Sequence, residues 1–109
     1  MSEHAPIQNL GSLDLIGQRN DGGVDTVIVV SSLLQATPAH EALLRSKIQA
    51  YTDAIFSDGW QQQFGDGAVS IYIRAVVMPE QGIVDLIGAI KQHLHEFGIT
   101  LYLEITESS

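Results

Sequence analysis

The sequence predicts an α+β fold, a two-layer sandwich in which a four-stranded mixed sheet carries two helices on one face, in the order ββαβαβ. Several runs rich in β-branched residues alternate apolar with polar positions, which is typical of half-buried strands. Two other segments repeat apolar residues every three or four positions, which is typical of helices that pack on one side. A chain of 109 residues suits one domain with a single core. We place this domain at residues 12–106, after a flexible arm at residues 1–11.

A β-hairpin is predicted at the start of the domain. Its first strand covers residues 13–16 and ends at Gly17. Residues 20–23 read N-D-G-G, and these residue types tolerate positive φ, so the segment favours a tight turn. Residues 24–31 are dense in β-branched side chains and predict the second strand.

The first helix is predicted to begin at Thr37 and Pro38. Threonine is a good N-cap, and proline suits the first helical position because its missing N–H costs nothing there. The residues that follow at helical spacing form one apolar face: Leu44, Ile48, Tyr51 and Ile55. Asp58 and Gly59 indicate the end of this helix, with Gly59 in the left-handed capping conformation.

The second helix is predicted to begin at Pro79 and to end at Gly98. Gly82 and Gly88 weaken it, since each costs on the order of 1 kcal/mol relative to alanine. Its predicted apolar stripe comprises Ile83, Ile87, Ile90, Leu94 and Phe97.

Strands three and four are predicted at residues 69–77 and 99–105, where apolar residues alternate. Each helix returns the chain, so strands two, three and four should run parallel. Two right-handed crossovers in the same direction place both helices on one face. The simplest strand order is 1-2-3-4.

The face of the sheet away from the helices is a candidate protein interface. With an offset of 30 residues between strands three and four, Tyr72 meets Tyr102 and Arg74 meets Glu104. Each such pair contributes roughly 0.2–1 kcal/mol. The candidate interface comprises Val27, Val29, Tyr72, Arg74, Tyr102 and Glu104, and its apolar patch also takes in Ile16 and Val76. The alternative is an ordinary, partly solvent-exposed face without a partner, because scattered exposed apolar residues are normal.

Residues 58–67 contain the only tryptophan, and two interpretations remain open for them. Trp60 and Phe64 are four residues apart, so one helical turn would place them side by side. They form either a plug over the end of the core or part of a ligand pocket or interface anchor.

Charge and composition exclude several classes of function. The net charge is −8, and the five basic residues are scattered, so we expect no binding to nucleic acid or to an anionic membrane surface. No apolar run approaches the roughly 20 residues of a membrane helix. The absence of cysteine excludes disulfides and thiolate metal sites. We expect no signal peptide and a cytoplasmic location.

No catalytic, cofactor or metal site is predicted. His93 and His95 are two residues apart on a helix, so they point in nearly opposite directions and cannot share a metal ion. The carboxylates are dispersed, and the glycine-rich segments precede strands rather than helices, unlike a phosphate loop.

The chain resembles a family of small bacterial domains of unknown function. The similarity lies in the L-D-L-I-G strand, the N-D-G-G turn and the first helix, which carries Lys47, Ile48 and Tyr51. It covers roughly residues 13–105. Residues 31–34, S-S-L-L, depart from the acidic or histidine-containing segment with a nearby tryptophan that the family pattern implies. The resemblance implies no activity or cofactor.

The sequence therefore predicts a non-enzymatic protein that acts by protein–protein contact and forms a homodimer. A more specific form of this prediction is an acidic, immunity-like protein that neutralises another protein. The alternative is a small-molecule binder or weak enzyme with a pocket near Trp60.

Overall fold

The computed structural model describes residues 15–18, 22–65 and 67–106. The chain is α+β, and its elements follow the order β1 (Leu15–Gln18), β2 (Val24–Val30), α1 (Pro38–Ile55), α2 (Asp58–Phe64), β3 (Val69–Ala75), α3 (Gln81–His95) and β4 (Ile99–Ile105). The predicted order ββαβαβ is not confirmed, because α2 is an additional helix between α1 and β3. The predicted arm at residues 1–11 lies outside the described residues.

The four strands form one mixed sheet in the order β1-β2-β3-β4, as predicted. β1 and β2 pair antiparallel, whereas β2, β3 and β4 run parallel. The predicted offset of 30 residues is also confirmed, since Tyr72 lies opposite Tyr102 and Arg74 opposite Glu104. The alternation of apolar and polar residues therefore predicted which residues of β3 and β4 lie opposite each other.

α1 begins as predicted but ends earlier. The Thr37 hydroxyl accepts a hydrogen bond from the His40 N–H at 3.3 Å. The helix ends at Ile55, and Ser57 begins α2 by accepting a hydrogen bond from the Trp60 N–H at 3.3 Å. Gly59 lies inside α2, so its predicted capping role is wrong. The N-cap at Ser57 starts a new helix where Asp58 and Gly59 suggested only a stop.

α3 begins two residues after Pro79, with Glu80 at its N-cap. It ends at His95, and Gly98 follows with a φ of 78°, which favours glycine. Phe97 is 54% exposed, so its predicted place in the apolar stripe is wrong. It lies beyond the last helical residue, where helical spacing no longer applies.

The core lies on one face of the sheet. The buried apolar residues of β2, β3 and β4 occupy matching rows, so their side chains share that face. They join α1 and α3 in one cluster that includes Val24, Ile28, Val30, Leu44, Ile48, Tyr51, Ile55, Ile71, Ile73, Ile83, Ile87, Leu94 and Leu101. The Tyr51 hydroxyl donates a hydrogen bond to the Val27 carbonyl and so ties α1 to β2.

The segment between β2 and α1 is anchored to α3. Leu34 is fully buried. The Ala36 N–H donates to the Glu80 carboxylate at 2.7 Å, and the Gln35 N–H donates to Nδ1 of His40 at 2.9 Å. A Cβ atom at Gly82 would lie only 2.7 Å from the Ala36 Cβ, so this contact requires glycine.

Candidate functional site

The face of the sheet opposite the core, called the open face below, carries an aromatic stack beside an ion pair. The Tyr72 and Tyr102 rings stack with centroids 4.9 Å apart and an interplanar angle of 30°. In the next row but one, the Arg74 guanidinium lies 3.1 Å from Oε1 of Glu104. The Arg74 Nε donates to the same oxygen at 3.2 Å, so the guanidinium fork is held in one orientation.

β2 contributes two apolar side chains to the same rows. Val27 lies opposite Tyr72, and Val29 lies opposite Arg74. Val29 and Tyr102 are each 42% exposed, whereas Val27 and Tyr72 are partly buried. The six predicted interface residues are therefore brought together on one surface.

Ile16 does not belong to the open face. It pairs with Thr26, which is fully buried among the core residues. Residues directly opposite each other in an antiparallel pair point to the same side of the sheet, so Ile16 lies on the helix side. The predicted position was wrong because a one-residue difference in register moves a side chain to the other face. Val76 follows the last residue of β3 and is exposed at the end of the sheet.

The charge of the open face is balanced, unlike the charge of the whole chain. Arg74 and Glu104 neutralise each other, and Nζ of Lys91 lies 5.7 Å from the Tyr102 ring centroid. Asp25 lies in the row beyond Val27, between β1 and β3, and is partly buried. This combination of aromatic rings, a valine and a fixed ion pair suits recognition of another surface.

The Trp60 side chain lies at one end of the core. It is 6% exposed, and its ring centroid is 4.4 Å from that of Phe64, because α2 brings the two residues onto one turn. A cleft of about 340 Å³ adjoins it, lined by residues that include Ile55, Phe56, Trp60, Gly65, Phe97 and Ile99. Burial of the ring is what the plug interpretation requires, and the cleft beside it is what a pocket requires.

A second cleft, of about 320 Å³, lies between α1 and α3 and was not predicted from the sequence. Phe56 and Phe97 form one end of it, with ring centroids 5.7 Å apart in an edge-on arrangement. They are 57% and 54% exposed. No local pattern indicates this cleft, because Phe56 follows the last residue of α1 and the cleft depends on how α1 and α3 pack together.

Two of the described histidines, His40 and His93, make local contacts. Nδ1 of His40 accepts the Gln35 N–H, and the His93 ring packs edge-on against Phe97 with centroids 5.3 Å apart. Within residues 15–18, 22–65 and 67–106 we find no cluster of three or more acidic or histidine side chains that could hold a metal ion. No helix in those same ranges is long and apolar enough to cross a bilayer.

Comparisons of the chain with protein-family models, curated proteins and solved structures found no match.

Proposed function

We propose that this protein acts through protein–protein contact and that its open face is the contact surface of a homodimer. One observation carries this proposal: a stacked tyrosine pair lies beside an exposed, internally neutralised ion pair on a chain of net charge −8. Tyrosine and arginine are enriched at protein interfaces, whereas most charged residues are depleted from the interface core.

A second copy of the chain is the partner that best fits the charges. Two molecules that each carry −8 repel one another over most of their surfaces. On the open face this repulsion is reduced, because Arg74 and Glu104 cancel there. A two-fold axis that lies in the plane of the interface, parallel to the strands and between β3 and β4, would bring Arg74 of each copy to Glu104 of the other, as a self-complementary contact requires.

The size of the face limits the affinity of this dimer. β2, β3 and β4 each contain seven residues, so the face is about 23 Å long at 3.3 Å per residue. Such a surface is small compared with an obligate dimer interface, which buries more than about 2,000 Å² in total. We therefore expect a dimer that forms and dissociates with concentration.

The wider setting of the proposal is a two-layer α+β sandwich in the cytoplasm, similar to small bacterial domains of unknown function. α1 and α3 cover one side of the sheet, and the other side remains available for contact with a second copy. The acidity of the remaining surface suits a basic protein as a further partner, in the manner of an immunity protein.

Sedimentation velocity over a concentration series tests the dimer. We expect the sedimentation coefficient of the wild type to rise between about 1 μM and 1 mM, the range of weak complexes. Tyr102→Ser should keep the protein monomeric throughout. The matched control is Phe97→Ser, which removes an exposed ring on another surface and should leave the wild-type behaviour unchanged. A wild type that stays monomeric at the highest concentration would contradict the proposal.

Small-molecule binding beside Trp60 is the second candidate function. The observation that favours it is the cleft of about 340 Å³ against a ring of the only tryptophan, within the size range of roughly 300–1,000 Å³ for ligand pockets. Trp60 emission provides the readout for a screen of small metabolites. A compound that binds there should shift the emission, and replacement of Ala68, which also lines the cleft, by a larger residue should weaken the effect. A screen with no shift in emission would remove this candidate.

A further inference from the structure

The cleft between α1 and α3 is separate from the open face and has a polar end and an apolar end. Its floor contains Ile48 and Leu94, both buried in the core cluster. Phe56 and Phe97 form the apolar end, and Arg45 lies toward the other end. Eleven residues separate Arg45 from Phe56, which corresponds to about 16 Å along a helix at 1.5 Å per residue.

Arg45 is the exposed cation of this cleft. Within the described part of the chain, its side chain forms no hydrogen bond or ion pair. The other basic residues described there are engaged or covered: Lys47 is fully buried, Arg74 pairs with Glu104, and Lys91 lies over the Tyr102 ring. The chain has 13 acidic and five basic residues, so a cation left without a carboxylate is unexpected by composition alone.

The charges on the rim define how an anion would lie in the cleft. The Asp53 carboxylate accepts a hydrogen bond from the Gln49 side-chain amide at 2.8 Å. Asp53 is two helical turns beyond Arg45, toward the phenylalanine end. A negative group is therefore favoured near Arg45 and disfavoured near Asp53, whereas an uncharged chain is favoured against Phe56 and Phe97.

We propose that this cleft binds a small carboxylic acid with an apolar chain, of the medium-chain fatty acid class. The carboxylate pairs with the Arg45 guanidinium, which offers planar, forked N–H donors for it. The chain lies over Ile48 and Leu94, and its end contacts the edge-on pair of phenylalanine rings. A volume of about 320 Å³ is at the lower end of the range for ligand pockets, which restricts the site to small ligands.

Octanoate is the probe for this site, with octan-1-ol as its uncharged counterpart. Titration of the ¹⁵N-labelled full chain at low salt, followed by two-dimensional NMR, reports both the affinity and the location. We expect octanoate to shift the amide signals of Arg45, Gln49, His93 and Phe97. Arg45→Gln should weaken octanoate binding about tenfold, because it removes a charge-assisted hydrogen bond. Octan-1-ol should bind the wild type about as weakly as octanoate binds this variant.

Two further variants separate this site from a general effect of charge. Lys91→Gln removes the same unit of charge from α3, outside the cleft, and should leave octanoate affinity unchanged. Asp53→Asn removes the opposing carboxylate and should tighten octanoate binding a few-fold. Sedimentation of Arg45→Gln should match the wild type, so failure of this site and failure of the homodimer are distinguishable.

Five results would overturn the proposal. Octanoate does not bind at millimolar concentration, or octan-1-ol binds the wild type as tightly as octanoate does. Alternatively, the shifted signals lie on the open face or around Trp60 instead of around Arg45. Finally, Arg45→Gln binds octanoate as the wild type does, or Lys91→Gln weakens binding to the same extent as Arg45→Gln.

Discussion

The two faces of the sheet are made by the same strands, yet they differ in burial and in chemistry. On the helix side, Ile28, Ile71 and Ile73 are completely removed from solvent. One residue further along each strand, the side chains change to Val29, Tyr72 and Arg74, which are exposed or only partly buried. The hydrophobic effect scales with the area removed from water, so the first face supplies stability and the second contributes little.

The side chains of the open face nevertheless form defined pairs. Tyr72 and Tyr102 stack, and Arg74 and Glu104 form an ion pair, because both pairs follow from one register. Exposed pairs of this kind add at most about 1 kcal/mol each to stability. Fold stability alone gives little reason for a valine and a tyrosine on this surface, which is the reason to assign it to assembly.

The largest effect is expected from a charge placed on each face of β2. Ile28→Glu should unfold the domain, because an unpaired buried carboxylate costs several kcal/mol against a total stability of about 5–15 kcal/mol. Val29→Glu should keep a wild-type circular dichroism spectrum and melting temperature within a few degrees, while weakening the dimer in sedimentation. Equal loss of structure in both variants would show that the two faces of β2 are not distinct.

The stability of the core on the helix side of the sheet should also depend on the buried ring of Trp60. Trp60→Ala should cost roughly 3–5 kcal/mol, the usual range for a buried aromatic residue. The wild-type emission should be blue-shifted without any added ligand, since the ring is 6% exposed. Gln61→Ala is the control, because Gln61 is the next residue of α2 and is exposed. Red-shifted emission, together with an unchanged melting temperature in Trp60→Ala, would show that the ring is not a plug.

Two glycines of α3 test the packing on the helix side of the sheet. Gly88→Ala should stabilise the protein by up to about 1 kcal/mol, because alanine favours the helix and an added Cβ meets no other atom within 4 Å. Gly82→Ala should destabilise it by about 1–3 kcal/mol, because its Cβ would overlap with that of Ala36. Urea unfolding of each variant measures whether its free energy of unfolding rises or falls. A stabilising Gly82→Ala would mean that the segment before α1 is not anchored to α3.

Short-range periodicity predicted much of this fold. The α1 stripe, the parallel strands and the 30-residue offset all follow from patterns within one or two elements. The strand order is confirmed, but it was only the simplest arrangement and the pattern alone did not determine it. The same reasoning brought the six open-face residues together. It failed where one local signal had two meanings: Asp58 and Gly59 suggested a helix end, whereas the Ser57 hydroxyl starts α2.

Features that depend on the mutual placement of two elements were not predictable. Ile16 was assigned to the wrong face because the register of β1 against β2 depends on the turn between them. The cleft at Arg45 exists only because α1 and α3 lie side by side, which the pattern of neither helix reveals. Phe97 looked like a core residue because its spacing fits a helix that in fact ends at His95.

The smallest expected effect on stability belongs to Arg74 and Glu104. Their side chains are 45% and 46% exposed, and an ion pair at such a surface contributes no more than about 1 kcal/mol. Arg74→Glu and Glu104→Arg should therefore each melt within a few degrees of the wild type. In the dimer, by contrast, each of these changes would place like charges opposite one another in both contacts.

Sedimentation of these two variants, alone and mixed in equal amounts at low salt, tests the open-face dimer most directly. Each variant alone should remain monomeric at concentrations where the wild type dimerises. The mixture should recover the dimer, because the acidic face of the Arg74→Glu variant then meets the basic face of the Glu104→Arg variant. A mixture that stays monomeric while the wild type dimerises, or variants that dimerise alone as the wild type does, would contradict the assignment of this face.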